Sequence, residues 1–430
     1  MMILRKLLVG VGVTALTAGV LAAGSLPQAP EAVAAELPTL DAMIEARQLF
    51  FGAENVDPDT GAVPVGEVHL SWVSVATFAV AMDGHVLLFD AYIHKEEGEP
   101  SYVPAITQDL IDLTPEFIVL GHGHFDHAAE SGRIAAATGA TIVGAQRHCD
   151  EQTEIAGQEL SCLVAFDAAS DTPGDTVELD LWDGVCTTAM LHVHSDAEPL
   201  DPEHDPANTV VPVPAADSVL LHPPGVLQVT AAGDEGGTIL YQFRVGSFSL
   251  LYHDSSGPLK EQAPQVFDAL RALPNTDVEL GAILGFNQIL NGLRDPAMYA
   301  EAIDAQIFVP NHHDFVTEYG SADEFEPILI REFEDYGVDA ELRFLYDPFD
   351  YGRPSLLQYD IDAPRWVEDG DDVCVRPASD DVGIAAAPPV PEVEVLGRGL
   401  AATGGGVVSA GAVLLAGAAA LRRRRAPELG

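Results

Sequence analysis

Positive charge is what this 430-residue chain most lacks: 20 Lys and Arg stand against 67 Asp and Glu, and only Lys6, Lys95 and Lys260 are lysines. Such a surface repels phosphate backbones, which argues against nucleic acid and anionic lipid as partners. Charged residues make up 20% of the chain and hydrophobic ones 47%, a balance that excludes a disordered or fibrous protein. The four cysteines, Cys149, Cys162, Cys186 and Cys374, form no CxxC pair, which argues against a thiolate metal site or a redox dithiol. Their even number permits two disulfides, and spacing favours Cys149 with Cys162. No GxSxG elbow, P-loop or dinucleotide fingerprint is present.

The two ends read as targeting signals. Arg5 and Lys6 precede an apolar run from Leu7 to Gly24 and the small residues Ala32, Ala34 and Ala35, the pattern of a secretory signal peptide cleaved near Ala35. The mature chain is then expected in an oxidising compartment. At the other end, an apolar stretch reaching Leu421 is closed by Arg422, Arg423, Arg424 and Arg425, which would stop translocation. The 18 residues from Gly404 to Leu421 are short for a permanent span of about 20. The preceding string, Leu400, Ala401, Ala402, Thr403 and Gly404, resembles a sortase sorting signal of the LAxTG type. That resemblance implies cleavage after Thr403 by a sortase and attachment to peptidoglycan on the outer surface of a Gram-positive bacterium. An ordinary membrane anchor is the alternative. Without residues 1–35 and 422–430 the chain keeps 14 basic and 65 acidic residues, a balance of −51 that suits solubility outside the cell.

Between these ends the expected organisation is an N-terminal extension (36–62), one catalytic domain (63–365) and a Pro- and acid-rich linker (366–399) before the sorting signal (400–430). Short apolar runs recur through the body: VLLF (86–89), FIVL (117–120), TIVG (141–144), TAMLHV (188–193), FSLLY (248–252) and AQIFVP (305–310). They read as buried strands. Residues 260–273 and 322–336 carry helix-like apolar spacing, as at Phe325, Ile328, Leu329 and Phe333. Strands alternating with helices predict an α/β layer fold.

Chemistry collects at the ends of those runs. FIVL is followed at once by GHGHFDH, which puts His122, His124, Asp126 and His127 within six residues of a turn. Imidazole and carboxylate suit zinc or a similar transition metal. Alternation should send His122 and His124 one way while the turn sends Asp126 and His127 another. Other candidate ligands also follow apolar runs: His194, with His192 as its competitor; Asp254; and His312, with His313 as its competitor. In layered α/β folds, ligands gather at strand carboxyl ends, so these distant segments are expected to converge. His69, His85, His94, His148, His204, His222 and His253 read as structural, His253 because the pleat turns it away from Asp254.

The ordered set Asp90, His122 to His127, His194, Asp254 and His312 resembles the signature of the metallo-β-lactamase-fold hydrolase superfamily, over about residues 66–315. The resemblance implies an αββα sandwich with a dinuclear site at one sheet edge. It also implies that His122, His124 and His194 hold one metal, that Asp126, His127 and His312 hold the other, that Asp254 bridges them, and that Asp90 orients a ligand from behind. Within that superfamily the strings LLYHDSSG and IFVPNHHDF look more like the lactonase and phospholipase D-type branch. The expected cofactors are two Zn2+, with Mn2+ or Fe2+ as alternatives. A shared hydroxide would attack an ester, lactone or phosphodiester, with Asp126 both ligating and orienting it. Two other readings fit the same cage: a wall-displayed metal scavenger without turnover and a mononuclear iron oxygenase.

Overall fold

A computed structural model describes residues 38–93, 105–167, 172–196, 201, 203, 204, 236–285, 291–313, 322–345, 356–366 and 374. The expected signal peptide, the sorting signal, most of the linker, His94 and His222 lie outside them. Among the described residues no helix is long and apolar enough to cross a membrane.

The described strands form two seven-stranded sheets. In the first, β1 (Glu67–Ser74), β2 (Thr77–Met82) and β3 (His85–Phe89) make an antiparallel meander, and β4 (Phe117–Val119), β5 (Thr141–Ala145) and β6 (Cys162–Phe166) continue it in parallel. In the second, β7 (Thr176–Leu179), β8 (Val185–His192), β9 (Thr238–Val245) and β10 (Phe248–His253) are antiparallel. They are followed by the parallel strands β11 (Val278–Ala282), β12 (Ile307–Asn311) and β13 (Glu341–Leu342). The late strand β14 (Leu356–Asp360) returns to the first sheet and pairs antiparallel with β1.

Most strands are apolar on both faces because each sheet is covered on both sides. Along β10, Phe248, Leu250 and Tyr252 enter the core between the sheets, while Leu251 packs into the outer helical layer. The sheets lock through Phe89, which stacks on Phe243 at 5.1 Å and on Tyr252 at 4.7 Å. Aromatic pairs of this kind contribute about 0.5–1.5 kcal/mol beyond area burial. Outside the first sheet lie α1 (Leu40–Phe51), α2 (Thr107–Asp112), the single turn α3 (Phe125–Ala128), α4 (Ser131–Thr138) and α5 (Gln146–Ala156). Outside the second lie α6 (Leu259–Gln262), α7 (Gln265–Arg271), α8 (Arg294–Ile303) and α9 (Ala322–Tyr336). The result is the expected αββα sandwich.

Three features depart from the sequence reading. The segment expected as an extension is built into the first helical layer: Phe50 and Phe51 of α1 are fully buried, and buried Arg47 donates to the carbonyl oxygens of Gly61 at 2.9 Å and Leu113 at 3.2 Å. The favoured Cys149–Cys162 disulfide is not formed. The bond joins Cys186 on β8 to Cys374, across 188 residues, and leaves Cys149 and Cys162 as thiols. Short sequence spacing misled because the chain after β14 returns to the β9–β10 turn, where Ser247 Oγ donates to the Ile361 carbonyl and Gly246 forms a bridge with Cys374. The body consequently runs past its expected end at residue 365: Trp366 packs against Phe248 and Tyr359, and Cys374 is tied covalently.

Candidate metal centre

β4 is only three residues long and fully supported by neighbours on both sides, so the turn that follows it starts from a fixed point. The GHGHFDH segment leaves the sheet at Gly121 and winds into α3, with His124 as the residue before the helix. Consecutive residues in a helical turn are rotated by about 100°. His122 and His124 precede that rotation and Asp126 and His127 lie within it, which separates the two pairs.

The first cluster joins His122, His124 and His194. His122 Nε2 lies 3.0 Å from His124 Nδ1 and 3.1 Å from His194 Nε2. The second joins Asp126, His127 and His312: His127 Nε2 is 3.1 Å from His312 Nε2, and Asp126 Oδ2 is 3.6 and 3.5 Å from those two nitrogens. Between them sits Asp254, whose Oδ2 lies 2.7 Å from His122 Nδ1 and 3.3 Å from His127 Nδ1. Asp254 is fully buried, and its Oδ1 has no hydrogen-bond partner. Behind the second cluster, Asp90 accepts from His127 Nδ1 at 2.6 Å and from the Gly121 N–H at 3.0 Å.

These ligands come from both sheets. His194 follows β8, Asp254 follows β10 and His312 follows β12. His312 takes a left-handed backbone conformation at φ 62°, and its N–H donates to the Val75 carbonyl at 2.8 Å, which docks the end of β12 onto the β1–β2 turn of the other sheet. Asp90 is likewise left-handed at φ 51°. Such conformations cost about 1–3 kcal/mol and persist where the surroundings over-determine them.

The competing histidines are placed elsewhere. His192 Nδ1 meets the Tyr299 hydroxyl at 2.9 Å in the helical layer, and His313 Nε2 donates to the Leu345 carbonyl at 2.8 Å while stacking on Trp72. Neither belongs to a cluster. The other described histidines pair away from the clusters: His69 with Glu67, His85 with Glu116, His148 with the Gly237 carbonyl, His204 with Glu332 and His253 with Glu279.

The electrostatics of the site favour cations. Burial, followed by repulsion from His127, His194 and His124, holds the His122 imidazole well below its ordinary pKa. Burial and His124 bring His194 down to about 3. Both rings are therefore neutral and keep lone pairs. Burial and the nearby Asp254 raise Asp90 to about 7, whereas His127, pulled down by burial, is raised to about 9 by Asp126, Asp254 and Asp90.

The donor set fits a pair of divalent ions. Imidazole–zinc bonds of about 2.0–2.1 Å at tetrahedral angles need nitrogens about 3.3 Å apart, close to the 3.0 and 3.1 Å within the first cluster. Three buried carboxylates, Asp90, Asp126 and Asp254, offset most of the charge that two dications would bring. The orphaned Asp254 Oδ1 is a buried acceptor that a cation would satisfy.

One contributor escaped the sequence reading. A side chain on Gly121 would collide with the Asp254 carboxylate, so glycine alone admits the central ligand. The repeated Gly of GHGH was the available signal.

No family profile matches the chain. It is 40% identical over 132 residues to a UPF0173 metal-dependent hydrolase from Pyrobaculum arsenaticum, a match covering 31% of this chain and 54% of that protein. A Roseiflexus protein of the same description is 37% identical over 132 residues, covering 30% of this chain and 48% of the relative. The chain thus spans about half the length of the curated relatives it matches. Among solved structures it is similar to Igni18, a metallo hydrolase from Ignicoccus hospitalis, with 15% identity, a TM-score of 0.45, and coverage of 68% of this chain and 98% of that one.

Proposed function

We propose that this chain is a metal-dependent hydrolase of the metallo-β-lactamase type, with a dinuclear centre held by His122, His124 and His194 on one side, Asp126, His127 and His312 on the other, and Asp254 between. The observation that carries the reading is convergence: segments up to 190 positions apart place seven donors in two adjoining cages, with an unsatisfied carboxylate oxygen at their junction. The resemblance to UPF0173 metal-dependent hydrolases supports it.

A bound pair of dications, zinc by the chemistry of the donors, would supply an activated water and polarise the substrate oxygen. The chain's own residues set the stage. Asp90 fixes the His127 ring through Nδ1 and leaves Nε2 toward the cage. Ser195 accepts on its carbonyl oxygen from His194 Nδ1 at 2.6 Å, which frees His194 Nε2 in the same way. Asp126, at the rim of the second cage and, against the effect of burial, held well below the usual carboxylate range by His127 and His312, has oxygens both to ligate and to accept a hydrogen bond that orients a substrate-side water.

Scarce lysine and the acidic surface favour a neutral or singly charged ester, lactone or phosphodiester over a polyphosphate. We read the protein as secreted and wall-tethered; the Cys186–Cys374 disulfide is in keeping with an oxidising compartment. The test is direct. Purified residues 36–399 should carry two metals and cleave an activated ester, lactone or phosphodiester, and His124→Ala should abolish turnover. A metal-replete protein inactive across that panel would support the scavenger reading instead.

A further inference from the structure

Glu279, on β11, is an acid in a dry layer. It is fully buried; its Oε1 meets His253 Nε2 at 2.9 Å, and its Oε2 has no hydrogen-bond partner. His253 is equally buried, and its Nδ1 lies 3.0 Å from the Ser255 carbonyl oxygen. A carbonyl only accepts, so Nδ1 carries a proton. A second proton lies between Glu279 and Nε2, and wherever on that line it sits, Nδ1 keeps its own. Glu279 thereby fixes the tautomer and aims the ring at Ser255. The neighbouring strand leaves room for it: Gly281 stands opposite His253 across the β10–β11 pairing, where a Cβ would lie 3.0 Å from Nε2.

At Ser255 two turns meet that are remote in sequence. Its carbonyl receives His253, and its Oγ accepts the Ser195 N–H at 3.0 Å. Ser195 belongs to the turn after β8, and its own carbonyl accepts from His194 Nδ1 at 2.6 Å. A line of hydrogen bonds therefore runs from Glu279 through His253, Ser255 and Ser195 to a donor of the first cage, and it passes the residue next to Asp254. The two turns also pack closely, because any side chain on Gly257 would strike the carbonyls of Val193 and His194. Ser256 Oγ donates to the Ala282 carbonyl at 2.7 Å, which ties the turn after β10 to the end of β11.

We infer that Ser255, held by the Glu279–His253 pair, is a positioning residue for the metal centre and sets His194 relative to the bridging Asp254. The inference rests on the dinuclear reading above. Without its Oγ the Ser195 N–H stands unpaired in a buried turn, and the carbonyl that orients His194 loses its anchor. Without Glu279 the His253 proton is free to move from Nδ1 to Nε2, and the bond to the Ser255 carbonyl goes with it. Glu279 touches neither cage, so its effect on metal passes through His253 and Ser255.

The test compares wild type with Ser255→Ala, Glu279→Leu and Glu279→Gln, all stripped and titrated with Co2+. Expected for Ser255→Ala and Glu279→Leu is a weakening of cobalt binding at the His122–His124–His194 site by about 10–100-fold, the usual scale for lost outer partners of metal ligands, with a changed cobalt absorption spectrum. Glu279→Gln should keep the wild-type affinity and spectrum, because its amide N–H donates to His253 Nε2 and leaves the proton on Nδ1. If Glu279→Leu does not fold, Ser255→Ala, which removes a single oxygen, carries the comparison. A Ser255→Ala protein that melts earlier while its cobalt spectrum and affinity match wild type would reduce the line of bonds to packing and overturn the inference. Wild type that takes up no cobalt would instead overturn the dinuclear reading itself.

Discussion

The two sheets share one pairing pattern, three antiparallel pairings followed by three parallel ones, yet they furnish the proposed metal centre in opposite ways. Asp90 after β3 and Asp254 after β10 occupy equivalent places in the two sheets. The first sheet delivers four donors from one continuous turn, His122 to His127. The second delivers three from the ends of three strands. A donor set concentrated in one turn needs only local backbone to be right; a distributed set needs the whole sheet. In the second sheet's helical layer the buried Arg294 pairs with three carboxylates, Asp201, Glu261 and Asp295, whereas the buried Arg47 of the first sheet's layer bonds backbone carbonyls.

The largest effect is expected where the two halves meet. Asp254→Ala removes the shared ligand, and turnover should drop about a thousandfold or more, the several kcal/mol that metal polarisation supplies; metal content and steady-state kinetics measure it. If only one metal and a tenfold loss resulted, Asp254 would not be central. Next comes the bracing. Arg294→Ala removes the buried guanidinium that faces Asp201, Glu261 and Asp295 and should destabilise the protein by about 3–5 kcal/mol, read by denaturant unfolding. Equal destabilisation by a change in the first sheet's turn would erase the contrast between the halves. Smaller still is Asp90→Asn, which keeps the size but removes the charge behind His127. Metal affinity at the second cage should weaken by about 10–100-fold while the first cage is spared, as site-resolved cobalt titration would show.

The same contrast explains what could be read in advance. Continuous apolar runs marked β3, β4, β5, β8, β10 and β12 because those strands are buried on both faces, and 322–336 coincides with α9. The expected helix over 260–273 is two helices, α6 and α7, broken at Ala263 and Pro264, where proline cannot continue the preceding hydrogen bonds. In the site, GHGHFDH was legible because its donors are adjacent. The choice of His194 over His192, and of His312 over His313, depends on which side chain leaves the pleat at a strand end, so sequence alone left both pairs open. The role of Gly121 and the partner of Cys186 were hidden for a related reason. Each is set by a residue more than 130 positions away, Asp254 for Gly121 and Cys374 for Cys186.

The central claim is that one contiguous turn and three remote strand ends form two adjoining metal cages. Metal per chain, measured by elemental analysis on wild type, His124→Ala and Asp126→Ala purified without chelator, tests it most directly. Two equivalents in wild type and one in each variant, with the surviving metal in the unaltered cage by cobalt spectroscopy, is the expected result. A single equivalent in wild type, lost entirely in both variants, would contradict it.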